Sequence, residues 1–247
     1  MKTTAGLATL AALAHVAPAA TFLPGPRRTF LPRLAGIGAP GRVALTFDDG
    51  PSPTSTPQFL RTLDRLGVKA TFFLLGDQAL RAPWLTKAIA DAGHEIGVHG
   101  WDHRCLLRKT PARTHHELLG CCNLVETLTG IRPRWFRPPY GVFSTAALLS
   151  AKRLALTPVL WSTWGFDWTE GCTPTSIHRK VMKNLGEGGT ILLHDSDVTT
   201  GNGAWRATLG ALPSILEDCR RRGVLPGRLL DQAPPLAGLT PRASTLL

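Results

Sequence analysis

The chain has 247 residues, 43% of them hydrophobic, and carries 28 Lys and Arg against 17 Asp and Glu, a formal charge of +11. That is enough apolar chain for one full domain with a sizeable core, and too much for a disordered polymer. No stretch reaches the roughly 20 apolar residues of a membrane span, and 25 Gly and 20 Pro without period exclude a collagen-like chain.

Residues 1–41 form a leading segment. Lys2 and the apolar run from Ala5 to Ala17 resemble a secretory signal, with Ala17, Ala19 and Ala20 where cleavage would fall. His15 and Pro18 interrupt the run, so a short membrane anchor or a packed leading helix stays open. A secreted or cell-envelope protein, with peripheral membrane or cell-wall association, is the expectation from this segment. Residues 21–41, with Pro24, Pro26, Pro32 and Pro40, read as an extended lead-in. Residues 1–47 hold five bases and no acid. A basic excess fits an anionic polymer, or only solubility. No basic-aromatic motif supports nucleic-acid binding.

From Arg42 the pattern alternates. Arg42–Phe47 is a strand; Ser55 or Thr56 caps a helix that Gly67 stops; Ala70–Leu75 is a second strand. A helix over about 79–92, a strand Glu95–Val98 and a helix over about 111–129 follow. Trp135–Arg137 starts a fourth unit, with Ser144 capping its helix. Pro158–Trp161 is a fifth strand, Thr175–Leu185 a helix, Thr190–Leu193 a sixth strand and Trp205–Arg222 a helix. Val224 and Leu225 could supply a seventh strand, and residues 226–247 read as a tail. Strand–helix units in this number predict a parallel α/β barrel or a doubly wound sheet over residues 42–225. Cys105, Cys121, Cys122, Cys172 and Cys219 are odd in number and lack a CxxC pair, which points to free thiols rather than a disulfide framework.

In a parallel α/β fold, functional groups collect at the C-terminal ends of strands. Polar clusters fall there five times: Thr46-Phe47-Asp48-Asp49-Gly50, His99-Gly100-Trp101-Asp102-His103, Arg137-Pro138-Pro139-Tyr140-Gly141, Asp167-Trp168 and Leu192-Leu193-His194-Asp195. An HxxxH pair alone is often a surface turn, and paired carboxylates before Gly are often the same. Together, His99 and His103 with Asp49 make an Asp-His-His set that can hold one metal and leave positions open. Asp48 and Asp49 point in different directions on consecutive positions, so one can ligate while the other acts as base. His116-Glu117 lacks the second His of a zincin helix, and neither GxSxG nor a phosphate-binding loop is present.

The series TFDDG, HxxxH, RPPYG, DW and LLHD, in that order over about residues 42–225, resembles the polysaccharide deacetylase family, the NodB-homology or carbohydrate esterase family 4 domain. The resemblance implies a distorted (β/α)7 barrel and a divalent metal, most often zinc, with Co2+, Ni2+ or Mn2+ as alternatives. It implies metal ligation by Asp49, His99 and His103, with Asp48 as general base oriented by Arg137. His194 would be the general acid, polarised by Asp167. The backbone N–H of Tyr140 would hold the oxyanion, and Trp168 and Leu192 would line the acetyl pocket. The implied reaction is removal of N-acetyl groups from an amino-sugar glycan, peptidoglycan or chitin-like, by a monomer. A hydrolase of a small acylated metabolite and a non-catalytic glycan-binding module are the competing readings. Two positions depart from the family pattern: Gly100 replaces a Ser or Thr, removing a hydrogen bond from that loop, and Trp164 replaces an Asp, making the groove wall more apolar.

Overall fold

β1 (Arg42–Asp48) is the strand around which the rest is arranged, and six of its seven residues are buried. Alternation sends Val43, Leu45 and Phe47 to one face and Ala44, Thr46 and Asp48 to the other. The first set packs under helices, with Phe47 edge-on to Phe59 at 5.1 Å. The second set faces the barrel interior, where Ala44 meets Phe73, Val159 and Leu229 in a small separate cluster. The computed structural model describes residues 2–199 and 203–232.

After β1 come α3 (Thr56–Arg65), β2 (Thr71–Leu74), α4 (Gly76–Arg81), α5 (Pro83–Asp91), β3 (Glu95–Val98), α6 (Pro111–Thr129), β4 (Trp135–Phe136), α7 (Thr145–Arg153), β5 (Thr157–Pro158) and β6 (Thr163–Trp164). They are followed by α8 (Pro174–Asn184), β7 (Thr190–His194), α9 (Ala204–Arg221), β8 (Leu225–Gly227) and α10 (Leu229–Gln232), with α1 (Lys2–Val16) and α2 (Pro24–Phe30) ahead of them all. Every described strand pair is parallel, in the order β5-β4-β3-β2-β1-β7-β6. Four residues, 159–162, join the two ends of that path, so the wall curls into a distorted seven-stranded barrel. β8 pairs only with the start of β1, Arg42 opposite Leu225. Gly97 in β3 has no room for a side chain, because a Cβ there would lie 2.6 Å from the Phe73 ring.

Several local expectations are corrected. The lead-in is helical rather than extended: a 3-10 turn spans Ala17–Phe22 and α2 follows, each with Pro in its first turn, where a missing N–H costs nothing. The helix over 79–92 is two helices, because Ala82, ahead of Pro83, takes φ −130 and ψ 61. Residues 159–162 leave the sheet: Leu160 donates its N–H to Leu34 and accepts from the Arg137 side chain, so neither group is free for a ladder. Ser55 makes no capping bond; the Thr56 hydroxyl is bonded to Asp195 instead. Ser144 does cap α7, accepting from Ala147 at 3.2 Å.

The described part of the tail is structured. Leu229 donates to Thr71, Leu230 to Glu95, and the Gln232 amide to Gly188 and Gly189, so residues 226–232 plug the bottom of the barrel. Residues 233–247 lie outside the described residues. All five cysteines are free, and Cys121, Cys122 and Cys219 are buried. Among the described residues no helix is long and apolar enough to cross a membrane.

Candidate active site

β1, β3, β4 and β7 end at one rim of the barrel, where Asp48, His99, His103, Tyr140, Trp168, Leu192 and His194 line one cavity and Asp49, Arg137 and Asp167 are buried against them. Asp48 is the inward-facing end of β1. Asp49 follows with φ 74, a left-handed turn that throws its carboxylate to a different side from that of Asp48. The turn is held from below: the Ser196 hydroxyl donates to the Asp49 carbonyl, and the Asp195 carboxylate is bonded to Thr56 at the start of α3. Burial pushes Asp195 up to about 7, against its Thr56 hydrogen bond and with added repulsion from Asp49.

Asp49, His99 and His103 converge. Asp49 Oδ1 lies 3.2 Å from His99 Nε2 and 3.3 Å from His103 Nε2. A tetrahedral ion with bonds of about 2.0–2.1 Å requires ligand atoms about 3.3 Å apart, which both carboxylate–imidazole distances match. Asp49 Oδ1 is buried with no hydrogen-bond partner, an orphan that a cation would satisfy. Burial opposes ionisation of Asp49, but the His99, His194 and His103 imidazoles around it hold its carboxyl below the usual range. Burial, outweighing Asp49, holds His103 down at about 4, so its imidazole is neutral and free to ligate. His99 donates Nδ1–H to the Arg137 carbonyl at 2.9 Å, which fixes the tautomer and presents the Nε2 lone pair. The residues present fit a divalent metal.

On one side of this face stands a carboxylate–guanidinium pair. Asp48 Oδ1 accepts from Arg137 Nη1 at 2.6 Å, and Asp48 Oδ2 remains 3.8 Å from His99 Nε2. Arg137 also donates to Thr46 Oγ1 and to the Leu160 carbonyl, and lies over the Phe73 ring at 4.1 Å. Three fixed acceptors and an aromatic face leave it no alternative position.

On the other side stands His194, whose Nδ1 lies 3.0 Å from Asp167 Oδ1 and whose backbone N–H donates to Asp167 Oδ2. Thr208 of α9 donates to the same Oδ2, anchoring the carboxylate. Burial disfavours the imidazolium, but the charge and hydrogen bond of Asp167, with Asp49 and Asp48 beyond, raise His194 to about 10. His194 Nε2 is left facing the metal-ligand side, 3.9 Å from Asp49 Oδ2.

A cavity of about 320 Å3 joins these parts, lined by Asp48, His99, His103, Tyr140, Trp168, Leu192 and His194, with Phe22, Gly141, Trp161, Trp164 and Thr199. The model for polysaccharide deacetylases matches residues 36–159, half of the chain. The chain belongs to the polysaccharide deacetylase family. A peptidoglycan-N-acetylglucosamine deacetylase of Bacillus cereus is 36% identical over 183 residues, covering 73% of this chain and 83% of that protein. One of Listeria monocytogenes is 37% identical over 159 residues, or 64% of this chain; the match spans 33% of the length of that relative. A crystal structure of a peptidoglycan N-acetylglucosamine deacetylase superimposes with a TM-score of 0.76 at 31% identity, covering 83% of this chain and 95% of the other.

The two departures from the family pattern have local accounts in this chain. Gly100 adopts φ 99, a conformation side chains rarely take, and its carbonyl accepts from Gly76. Trp164 lies against Trp161, Phe166 and Trp168 at 4.5–5.4 Å, one aromatic wall of the cavity. Sequence alone did not single out Thr199, Thr208, Lys109 or Phe22. The Thr199 hydroxyl is bonded to Asp49, and the buried Lys109 is bonded to Asp102, in the loop between the two histidines, and to Glu117. None of these lies in a motif, and each gains its contact with the site only through the fold.

Proposed function

We propose that this chain is a divalent-metal hydrolase that removes the N-acetyl group from an amino-sugar glycan, peptidoglycan or a chitin-like oligosaccharide. The observation that carries the reading is the three-part cavity: a ligand face in the middle, a carboxylate–guanidinium pair on one side and an imidazole–carboxylate pair on the other. Relatives named as peptidoglycan deacetylases support the choice of substrate class.

Asp49, His99 and His103 would hold the metal, and one carboxylate with two imidazoles suits zinc, with Co2+, Ni2+ or Mn2+ able to substitute. When bound, the ion supplies a water of lowered pKa and polarises the acetamide carbonyl. Asp48 takes the proton from the attacking water, and Arg137 keeps its carboxylate aimed. The Tyr140 backbone N–H donates to the developing oxyanion. His194, held protonated by Asp167, gives its proton to the leaving amine, which departs poorly otherwise. Leu192 and Trp168 enclose the acetyl methyl. The exposed Leu10 and Leu13 of α1 and the basic leading segment support a secreted or envelope location, which fractionation of cells expressing the full chain tests directly.

The test of function is acetate release from N-acetylchitooligosaccharides and from peptidoglycan fragments, before and after a chelator and after metal is restored. Release that stops with the chelator and returns with the ion is the expected result. Release indifferent to chelation overturns the metal role. Binding without release would make the chain a glycan-binding module, and release only from small acylated amides would move it to metabolite hydrolysis.

A further inference from the structure

Arg27 of α2 is 4% exposed and carries a charge that nothing nearby neutralises. Its Nη1 donates to the Thr21 and Phe22 carbonyls at 3.0 and 3.3 Å, its Nη2 donates to the Trp161 carbonyl at 2.9 Å, and its Nε–H has no partner. The charged groups that bear on it are Arg28 and Arg137, both cations; burial and these neighbours lower Arg27 to about 10. Among the described residues no carboxylate pairs with Arg27 or Arg28. Carbonyl dipoles satisfy hydrogen bonds but do not cancel a net charge, and burial disfavours an unpaired ion.

The same two arginines line a second cavity, of about 240 Å3, with Phe22, Trp161, Trp164 and Asn184. Phe22, Trp161 and Trp164 also line the catalytic cavity, so the two are neighbours across a common aromatic wall. The half-buried Trp164, packed on the buried Trp161 with ring centroids 5.3 Å apart, gives the cavity an apolar wall against which a sugar ring can rest. Asn184 offers an amide to a hydroxyl. Guanidinium groups match a planar carboxylate in geometry as well as charge.

We infer that this second cavity is a subsite for a sugar carboxylate, carried by the glycan unit next to the one that is deacetylated, with Arg27 and Arg28 as its anion-binding residues. The inference rests on reading the first cavity as a glycan deacetylase site. It makes the deacetylase selective for polymers in which amino sugars alternate with acidic ones, through a built contact and not only through the overall positive charge.

The experiment compares a neutral N-acetylchitotetraose with a tetrasaccharide of the same length in which alternate sugars carry an ether-linked carboxylate. Initial rates are measured for wild type, Arg27→Gln and Arg28→Gln, with melting temperatures as a control. Equilibrium binding of the corresponding N-deacetylated oligomers, which cannot turn over, is measured in parallel. The wild type should prefer the acidic oligomer in both rate and binding. Each variant should lose roughly tenfold of that preference, the worth of one charge-assisted hydrogen bond, while kcat/KM on the neutral oligomer stays within about twofold. Arg28 is exposed, so Arg28→Gln keeps the test valid if Arg27→Gln does not fold. Equal wild-type binding of both oligomers, or a preference that survives in folded variants, overturns the subsite. If neither oligomer is deacetylated but the acidic one still binds more tightly and the variants lose that margin, the subsite stands and the proposed reaction falls.

Discussion

Arg137, at the end of β4, reaches Asp48, at the end of β1, across the barrel interior, with β2 and β3 between them in the sheet. Both side chains are removed from water, so each is the other's only means of carrying charge there. Arg137→Ala should therefore cost about 3–5 kcal/mol of stability, the penalty for a buried charge left alone. The loss should show as a lowered melting temperature, with metal content per folded molecule unchanged because no ligand is touched. A variant melting like the wild type would show that Asp48 does not depend on its partner.

Asp48→Asn and Asp49→Asn, adjacent in sequence, should fail differently. The first keeps shape and ligand set but cannot accept a proton, so metal stays while turnover falls roughly 10²–10⁴-fold. The second removes one of three ligands and should release the metal. Metal analysis of the two purified variants distinguishes them, and the opposite pattern would exchange the roles of the two aspartates.

Asp167→Asn tests the acid. The Asp167 charge and hydrogen bond raise His194 against the effect of burial, and the proposed mechanism needs His194 protonated. Removing that charge lowers the pKa, so the high-pH limb of kcat/KM should move to lower pH by about one unit or more. Asn can still accept from the His194 and Thr208 donors, which keeps the loop in place. A limb that stays where it is in the wild type would remove His194 as the titrating acid.

What was legible in the sequence was what is local. The β-rich run Arg42–Phe47 and the polar groups at strand ends lie within a few residues of one another, and they pointed to Asp48, Asp49, His99, His103, Arg137 and His194. Sequence could not show that Leu160 is taken out of its strand by Leu34 and Arg137, since those bonds join residues far apart in the chain. It misread Pro24 as a breaker because proline serves equally in a loop and in a first helical turn. Lys109 beneath the histidine loop and Arg27 against Trp161 escaped notice for the same reason: a lone basic residue acquires meaning only from the groups folded around it.

Gly100 separates the first ligand histidine from Trp101, and its φ of 99 sets a limit on substitution. A Cβ there would meet Pro139 at 3.5 Å, an ordinary contact, so the cost is in the backbone and not in crowding. Gly100→Ser, although it introduces the hydroxyl common in the family, should destabilise by about 1 kcal/mol or more. Denaturant unfolding of the variant measures this directly. A gain in stability would mean that the loop can turn to a negative φ and that the hydroxyl finds a partner.

The acyl pocket gives the last prediction. Leu192, 3% exposed on β7, and Trp168, edge-on to His194 at 5.5 Å, flank the acid in the cavity. In the proposed reaction an acetyl methyl would meet them as apolar surface, and a longer acyl chain would have to displace one of them while the carbonyl stays fixed by the ligand face. Lost contacts alone discriminate a methylene by about 1–3 kcal/mol, and the clash adds to that. The wild type should therefore cleave acetyl much faster than butyryl on the same amino sugar. Leu192→Ala removes three carbons from the wall and should narrow the ratio by raising butyryl turnover, not merely by lowering acetyl turnover. Emptying a buried leucine site costs about 2–5 kcal/mol, so the comparison is made well below the melting temperature of the variant. Trp168→Phe, which keeps an aromatic face but shortens it, should shift the ratio in the same direction by less. Comparable wild-type rates on acetyl and butyryl substrates would remove Leu192 and Trp168 from the acyl pocket and leave the metal, base and acid assignments untouched.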